Sequence, residues 1–265
     1  MKFKHAFTGL LGLTLMACSP SPTQLKKVME SHPEIVFAAI KADPKGFFDT
    51  IQQVQQQAQQ ASIAAEMDKE YQKVEEELKN PQTVDISASR AFKGAANAPV
   101  TIVEWFDFNC GHCKDMESAI QEIEKNYGGK VRVVYMHLPI LAPESRTAAE
   151  YMEAIALQDK AKALQFHDMI FANQNDFRMN GEKYLKQAVK SVGANLAKVE
   201  RAAKGLAVKK VIDSDMVEAK KFGFNGTPAF MVNGAAIDGA YPYDFFKRVI
   251  DGILHSSGTS GPKSN

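Results

Sequence analysis

Two cysteines stand three residues apart in Cys110-Gly111-His112-Cys113, directly after the apolar run Val100 to Phe106. Only three cysteines occur in 265 residues. Thiols at that spacing on the first turn of a helix share one face, within the Cα separation that a disulfide accepts. The loop they close is too short to staple a fold, so the pair is suited to reversible redox chemistry. Cys110, at the helix start, faces unpaired N–H groups and the positive end of the dipole. Its pKa is expected to fall to about 6, which makes it mostly thiolate at neutral pH and the nucleophile of the pair. Cys113, deeper on the helix, is expected to resolve the mixed disulfide. His112, if protonated, adds charge beside Cys110; the other reading is an exposed polar helix residue. Gly111 would leave the sulfur open to approach. Glu104, six residues before Cys110 in an otherwise apolar strand, would have a raised pKa and pass a proton to or from Cys113. A solvated glutamate on an edge strand is its alternative.

A metal is not expected at the pair. A structural zinc site takes four ligands, no second C-x-x-C exists, and His137 and His167 read as structural or surface residues. No cofactor is implied. With 32 Lys+Arg against 31 Asp+Glu, the chain has no basic field for nucleic acid.

The N-terminus predicts export. Met1 to Lys4 is basic and Phe7 to Ala17 is apolar but too short to span a membrane, the pattern of a signal peptide over residues 1–17. Leu15-Met16-Ala17-Cys18 resembles a bacterial lipobox, which implies a lipid on Cys18; Ser19 resembles the sorting residue of outer-membrane lipoproteins. The other reading is a plain secretory signal. Either way the compartment is oxidising, where a chain of this size needs no structural disulfide. The expected location is the periplasm, with the membrane touched only through a lipid anchor.

Residues 18–82 read as helical, broken at Pro33 and around Asp43 to Gly46. Ile51, Val54, Ala58, Ala61 and Ala65 form a narrow apolar stripe, continued on a shifted line by Met67, Tyr71, Val74 and Leu78. This predicts a homodimerisation arm; the alternative is that it packs on its own catalytic domain. Val84 to Ile86 reads as a short strand, Val100 to Phe106 as a buried one, Gly111 to Tyr127 as a helix and Val131 to His137 as a second buried strand. They form a β-α-β unit with parallel strands. Pro143 to Phe222 is helical, with breaks at Asn173 to Gly181, Gly193 and Gly205. Ala229 to Val232 and Ala235 to Ile237 flank the turn Asn233-Gly234, which favours a tight hairpin. A last helix covers Tyr243 to Leu254, and the Ser/Gly/Lys tail, residues 256–265, is expected to be disordered.

A strand leading to C-x-x-C at a helix start, with Gly226-Thr227-Pro228-Ala229-Phe230 before a hairpin and a terminal helix, resembles the thioredoxin fold. The resemblance implies a cis-proline at Pro228 whose loop faces the cysteines and, with Thr227, positions an extended substrate. The long helical stretch between His137 and Phe222 resembles the inserted domain of DsbA-like periplasmic disulfide oxidoreductases, and Glu104 matches that family's buried acid. The lipobox-like signal and helical arm resemble DsbA-like outer-membrane antigens. The implied architecture is α/β: a thioredoxin domain over 83–140 and 224–255, an inserted helical domain over 141–223, and an N-terminal helical region. Cysteine-containing exported proteins and a membrane redox partner are the implied partners. Two departures shift the expected reaction. Strong oxidases of the family carry Pro-His between the cysteines and Val before the proline. Gly111-His112 resembles protein disulfide isomerase, and Thr227 resembles the bacterial isomerases. Formation and rearrangement of disulfides are therefore both expected; a reductase kept reduced by a membrane partner and a surface lipoprotein with a non-catalytic domain are the rivals.

Overall fold

The computed structural model describes residues 21–87 and 90–258. The signal, Cys18 and the tail beyond Gly258 lie outside the described residues.

The chain forms two units, one ending at Ser62 and the other starting at Ile63. In the first, α1 (Pro22–Ser31), α2 (Pro33–Ala42) and the start of α3 (Pro44–Glu77) each open on a proline, which lacks the N–H that a first turn leaves unused. Ser21 and Gln24 close a reciprocal cap on α1. The expected breaks at Pro33 and Asp43 are thus where the helices change over. Large apolar side chains stay exposed here, Phe37 at 62% and Phe48 at 64%, and no core forms among the described residues of this unit.

The second unit contains the end of α3 and a five-stranded sheet in the order β1 (Phe92–Gly94), β3 (Val131–His137), β2 (Val100–Phe106), β4 (Ala229–Val232), β5 (Ala235–Asp238). β2 and β3 run parallel, joined by α4 (Gly111–Tyr127), and the other pairings are antiparallel. Asn233 and Gly234, both at positive φ (46° and 90°), make the tight β4–β5 turn that their types favour. Alternation sorts β2 onto two faces: Val100, Ile102 and Phe106 join one core, Val103 and Trp105 the other.

Six helices separate β3 from β4: α5 (Pro143–Ala156), α6 (Lys160–Ala172), α7 (Gln174–Asn180), α8 (Glu182–Ser191), α9 (Leu196–Ala203) and α10 (Leu206–Lys221). The last helix is α11 (Tyr243–Gly258). The mixed α/β architecture with a helical insertion and an N-terminal helical region is as expected.

Four local readings are corrected. Val84 to Ile86 is not a strand: Gln82 N–H goes to the Gly234 carbonyl and Asp85 N–H to the Glu218 carboxylate, and the first strand is Phe92–Gly94. Asn173 to Gly181 is not a plain break, because α7 occupies it and stops where Gly181 takes a positive φ of 50°. An unexpected break falls before α6, which Asp159 caps. The last helix continues past Leu254 to Gly258, with His255 and Ser256 bonding the carbonyls of Asp251 and Gly252, so residues 256–258 are helical and not part of a tail.

The C-terminal half of α3 packs on its own domain. Tyr71 and Val74 are buried in the main core, the Arg248 guanidinium lies 3.6 Å from the Tyr71 ring centroid and pairs with Asp68 at 2.6 Å, and Glu77 accepts from Ala236 N–H at 2.6 Å. The stripe from Met67 to Leu78 therefore packs on its own chain, the alternative reading of this part of the arm.

Candidate active site

Cys110 is the N-cap residue of α4: its φ/ψ is extended and its sulfur accepts from Cys113 N–H at 3.3 Å. Cys113 lies one turn in, fully buried, while Cys110 keeps 3% exposure, so Cys110 is the sulfur nearer solvent. Thr227-Pro228 is a cis peptide, and in the thiol form Cys110 Sγ–H donates to the Thr227 carbonyl at 3.2 Å. The sequence-predicted pair and loop thus meet.

The two thiols are driven apart electrostatically. Cys110 is lowered from 9.0 to about 6, first by the Cys113 thiol donating to it, then by the Thr227 side chain and the N–H groups of Cys113 and His112, against a cost of burial. Cys113 is pushed far up by burial, by its bond to Cys110 and by the charge of Glu104. Cys110 is therefore the sulfur that ionises first, and Cys113 the one that keeps its proton. The Thr227 hydroxyl is buried with no other partner, so it is free to donate to the sulfur once Cys110 ionises and gives up its bond to the carbonyl.

His112 reaches the sulfur through its backbone N–H. Its ring is 79% exposed and 3.8 Å from the Asp115 carboxylate, while its N–H faces the sulfur. A Cβ on Gly111 would meet nothing in the protein nearer than Arg178 Nη2 at 3.9 Å. Glu104 is not a solvated edge residue. It sits on a strand flanked by β3 and β4, is 1% exposed, and neither carboxylate oxygen has a partner. Burial, followed by the charge of Glu117, holds its pKa well above the carboxylate range. When it ionises, its charge reaches both cysteines.

The loop from Asp107 to Cys110 is held by residues that carry no motif. The buried Asp107 carboxylate accepts from the N–H groups of Asn109, Ile140 and Leu141 at 2.8 to 2.9 Å, tying the end of β2 to the segment after β3. From α7, Gln174 Nε2 donates to the carbonyls of Phe108 at 2.9 Å and Cys110 at 2.7 Å, and Arg178 donates to that of Asn109 at 2.6 Å. Nothing local in the sequence marks Gln174 or Arg178, which reach the loop only through the fold of the insertion.

His137 and His167 are both buried. His137 bonds Glu153 at 2.9 Å within a network in which Arg90 also pairs with Glu153 and Asp215. Glu117, His167 and Asp168 each bring a ligand atom within 4.8 Å of the others, the kind of donor set a cation could use. Lys93 already supplies positive charge there, 3.0 Å from Asp168.

A cysteine pair split between thiolate and thiol, set against a cis-proline loop, defines a thioredoxin-type dithiol site. Residues 86–252 match the thioredoxin family. The chain belongs to that family, in its DsbA-like group. Among curated relatives, the probable disulfide bond formation protein D of Bacillus cereus is 30% identical over 169 residues, which is 60% of this chain and 76% of that protein. Na(+)/H(+) antiporter NhaA 3 of Salinispora tropica is 32% identical over 155 residues, 56% of this chain; the match covers 22% of the antiporter's length. A solved thioredoxin-like oxidoreductase from Silicibacter pomeroyi is 26% identical with a TM-score of 0.57, covering 64% of this chain and 94% of that one.

Proposed function

We propose that the protein is a thiol-disulfide oxidoreductase that forms and rearranges disulfide bonds in exported, cysteine-containing proteins. The observation that carries this reading is the split pair: Cys110 lowered to about 6 at the helix cap and Cys113 held as a thiol behind it. In the oxidising direction a substrate thiolate attacks Cys110 of the Cys110–Cys113 disulfide and Cys113 leaves, protonated by Glu104. A second substrate thiolate then attacks the substrate sulfur of the mixed disulfide, forming the product disulfide and releasing Cys110 as its stable thiolate. In rearrangement, Cys110 opens a wrong bond and a different substrate thiol closes the right one. The edge at Thr227-Pro228 and a groove of about 450 Å³ beside His112, bounded by Asp115, Met116, Tyr241, Pro242 and Tyr243, offer an extended chain a seat. Thr227 in place of an apolar residue favours the rearranging side.

The leader-like N-terminus supports a periplasmic site of action, with Cys18 as the lipid-bearing residue and a membrane redox partner to reset the pair. No helix among the described residues is long and apolar enough to cross a membrane. The exposed apolar side chains of the N-terminal unit support self-association through residues before Ser62. The test of activity is refolding of reduced and of scrambled ribonuclease. The wild type should accelerate both and Cys110→Ser neither; equal rates for the two proteins would refute catalysis.

A further inference from the structure

Behind Glu104 lies a row of buried polar groups that the chemistry above does not use. Tyr135 is the register neighbour of Glu104 on β3, 1% exposed, and its hydroxyl has no hydrogen-bond partner. Glu117, on α4 one turn past Cys113, has neither carboxylate oxygen bonded. His167, on α6, is fully buried with its ring 4.2 Å from that of Tyr135; its Nε2 is unbonded and 3.8 Å from Glu117, and its Nδ1 bonds Asp168 at 3.0 Å. Asp168 is 46% exposed and so ends the row at solvent. Lys93 and Glu124 are the other charged groups at that end, with Lys93 3.0 Å from Asp168 and 3.9 Å from Glu124.

Unbonded buried polar atoms are costly and few, and six fall in this one row: two each on Glu104 and Glu117, the Tyr135 hydroxyl and His167 Nε2. Every group in it can give or accept a proton. None of these atoms is bonded to the next, and the His167–Glu117 step is 3.8 Å, too long for a direct bond; small side-chain rotations would have to close each gap. We propose that Tyr135, Glu117, His167 and Asp168 form a proton relay that connects Glu104 to solvent. The proposal rests on the dithiol reading of the site.

The relay is needed when Cys113 attacks the mixed disulfide on Cys110. The Cys113–Cys110 bond forms, the bond from Cys110 to the substrate sulfur breaks, and the substrate leaves as a thiolate that takes a proton from water. The enzyme dithiol is oxidised and the substrate disulfide reduced. The Cys113 proton must go to Glu104, whose burial favours its protonated form, so Glu104 has first to pass its own proton outward. Tyr135 and Glu117 receive it, His167 takes it at Nε2 and releases one at Nδ1, and Asp168 hands it to water.

Glu117→Gln and the half-exposed Asp168→Asn test this with the reduced full chain and a disulfide-bonded peptide, followed by acid quench. Formation of the mixed disulfide should run at the wild-type rate. Its resolution should slow by about tenfold or more in Glu117→Gln, in the range of a lost proton-transfer group. Both variants should change the solvent deuterium isotope effect on resolution, which a purely structural lesion would leave alone. Resolution at the wild-type rate and isotope effect in both variants would overturn the relay, as would a stoichiometric metal on the wild type that Glu117→Gln removes. If the wild type itself forms no mixed disulfide, the dithiol reading fails; if it forms one and the variants resolve it normally, only the relay fails.

Discussion

Thr227→Val should raise the Cys110 pKa and make the pair a weaker oxidant. The substitution keeps shape but removes a hydroxyl that is buried, otherwise unpartnered and placed to donate to the thiolate. A hydrogen bond to a charged group contributes about 1.5–3 kcal/mol. At about 1.4 kcal/mol per pKa unit, its loss moves Cys110 from about 6 to roughly 7–8. A thiolate with a pKa near 6 stabilises the reduced pair at neutral pH by roughly 1.4 kcal/mol relative to an unperturbed thiol. With the raised pKa roughly 1 kcal/mol of that is lost, so reduction becomes less favourable and the potential falls by about 25 mV. Thiolate absorbance and the pH dependence of alkylation give the midpoint, and equilibration with glutathione gives the potential. An alkylation midpoint that stays near 6 with an unchanged glutathione equilibrium would refute this role for the hydroxyl.

Glu104→Gln should stabilise the reduced protein increasingly as pH rises. A carboxyl with a raised folded pKa costs nothing below its unfolded pKa and progressively more above it, so Tm should match the wild type near about pH 4 and exceed it near about pH 8. A difference in Tm independent of pH would contradict a buried, protonated Glu104. Gln174→Ala frees the carbonyls of Phe108 and Cys110 and should slow attack by Cys110 while leaving Cys113 buried; single-turnover kinetics read the step, and an unchanged rate would show that the α7 clamp is dispensable. Val74→Ala should cost roughly 2 kcal/mol in urea unfolding, the value of a fully buried side chain trimmed by two carbons. Loss of less than about 0.5 kcal/mol would mean that the end of α3 does not pack on the domain.

The parts of the fold that rest on local chemistry were legible. Val100 to Phe106 and Val131 to His137 are runs of β-branched and aromatic residues buried on both faces, Asn233-Gly234 suits a tight turn, and a cysteine at a helix cap follows from the strand before it. The parts that rest on distant partners were not. Val84 to Ile86 has strand-forming residues, yet its neighbourhood supplies the Gly234 carbonyl and the Glu218 carboxylate rather than a strand edge. Met67 to Leu78 has the spacing of a helix interface, and only the position of α11 shows that the surface it meets belongs to its own chain. The same limit applied to the site. Cys110, Cys113, Glu104 and Thr227 were visible because each stands out from its sequence surroundings. Gln174, Arg178, Glu117 and Tyr135 sit in ordinary amphipathic helices or an apolar strand and gain meaning only when α4, α6, α7 and β3 are brought together.

The redox potential of the Cys110–Cys113 pair, measured by equilibration of the full chain with glutathione, bears most directly on a dithiol that forms and rearranges disulfides. The expected value is near that of isomerase-type pairs, about −180 mV, and less oxidising than about −120 mV. A value near that of thioredoxin, about −270 mV, would contradict the oxidising half of the proposed function and identify the pair as a reductant.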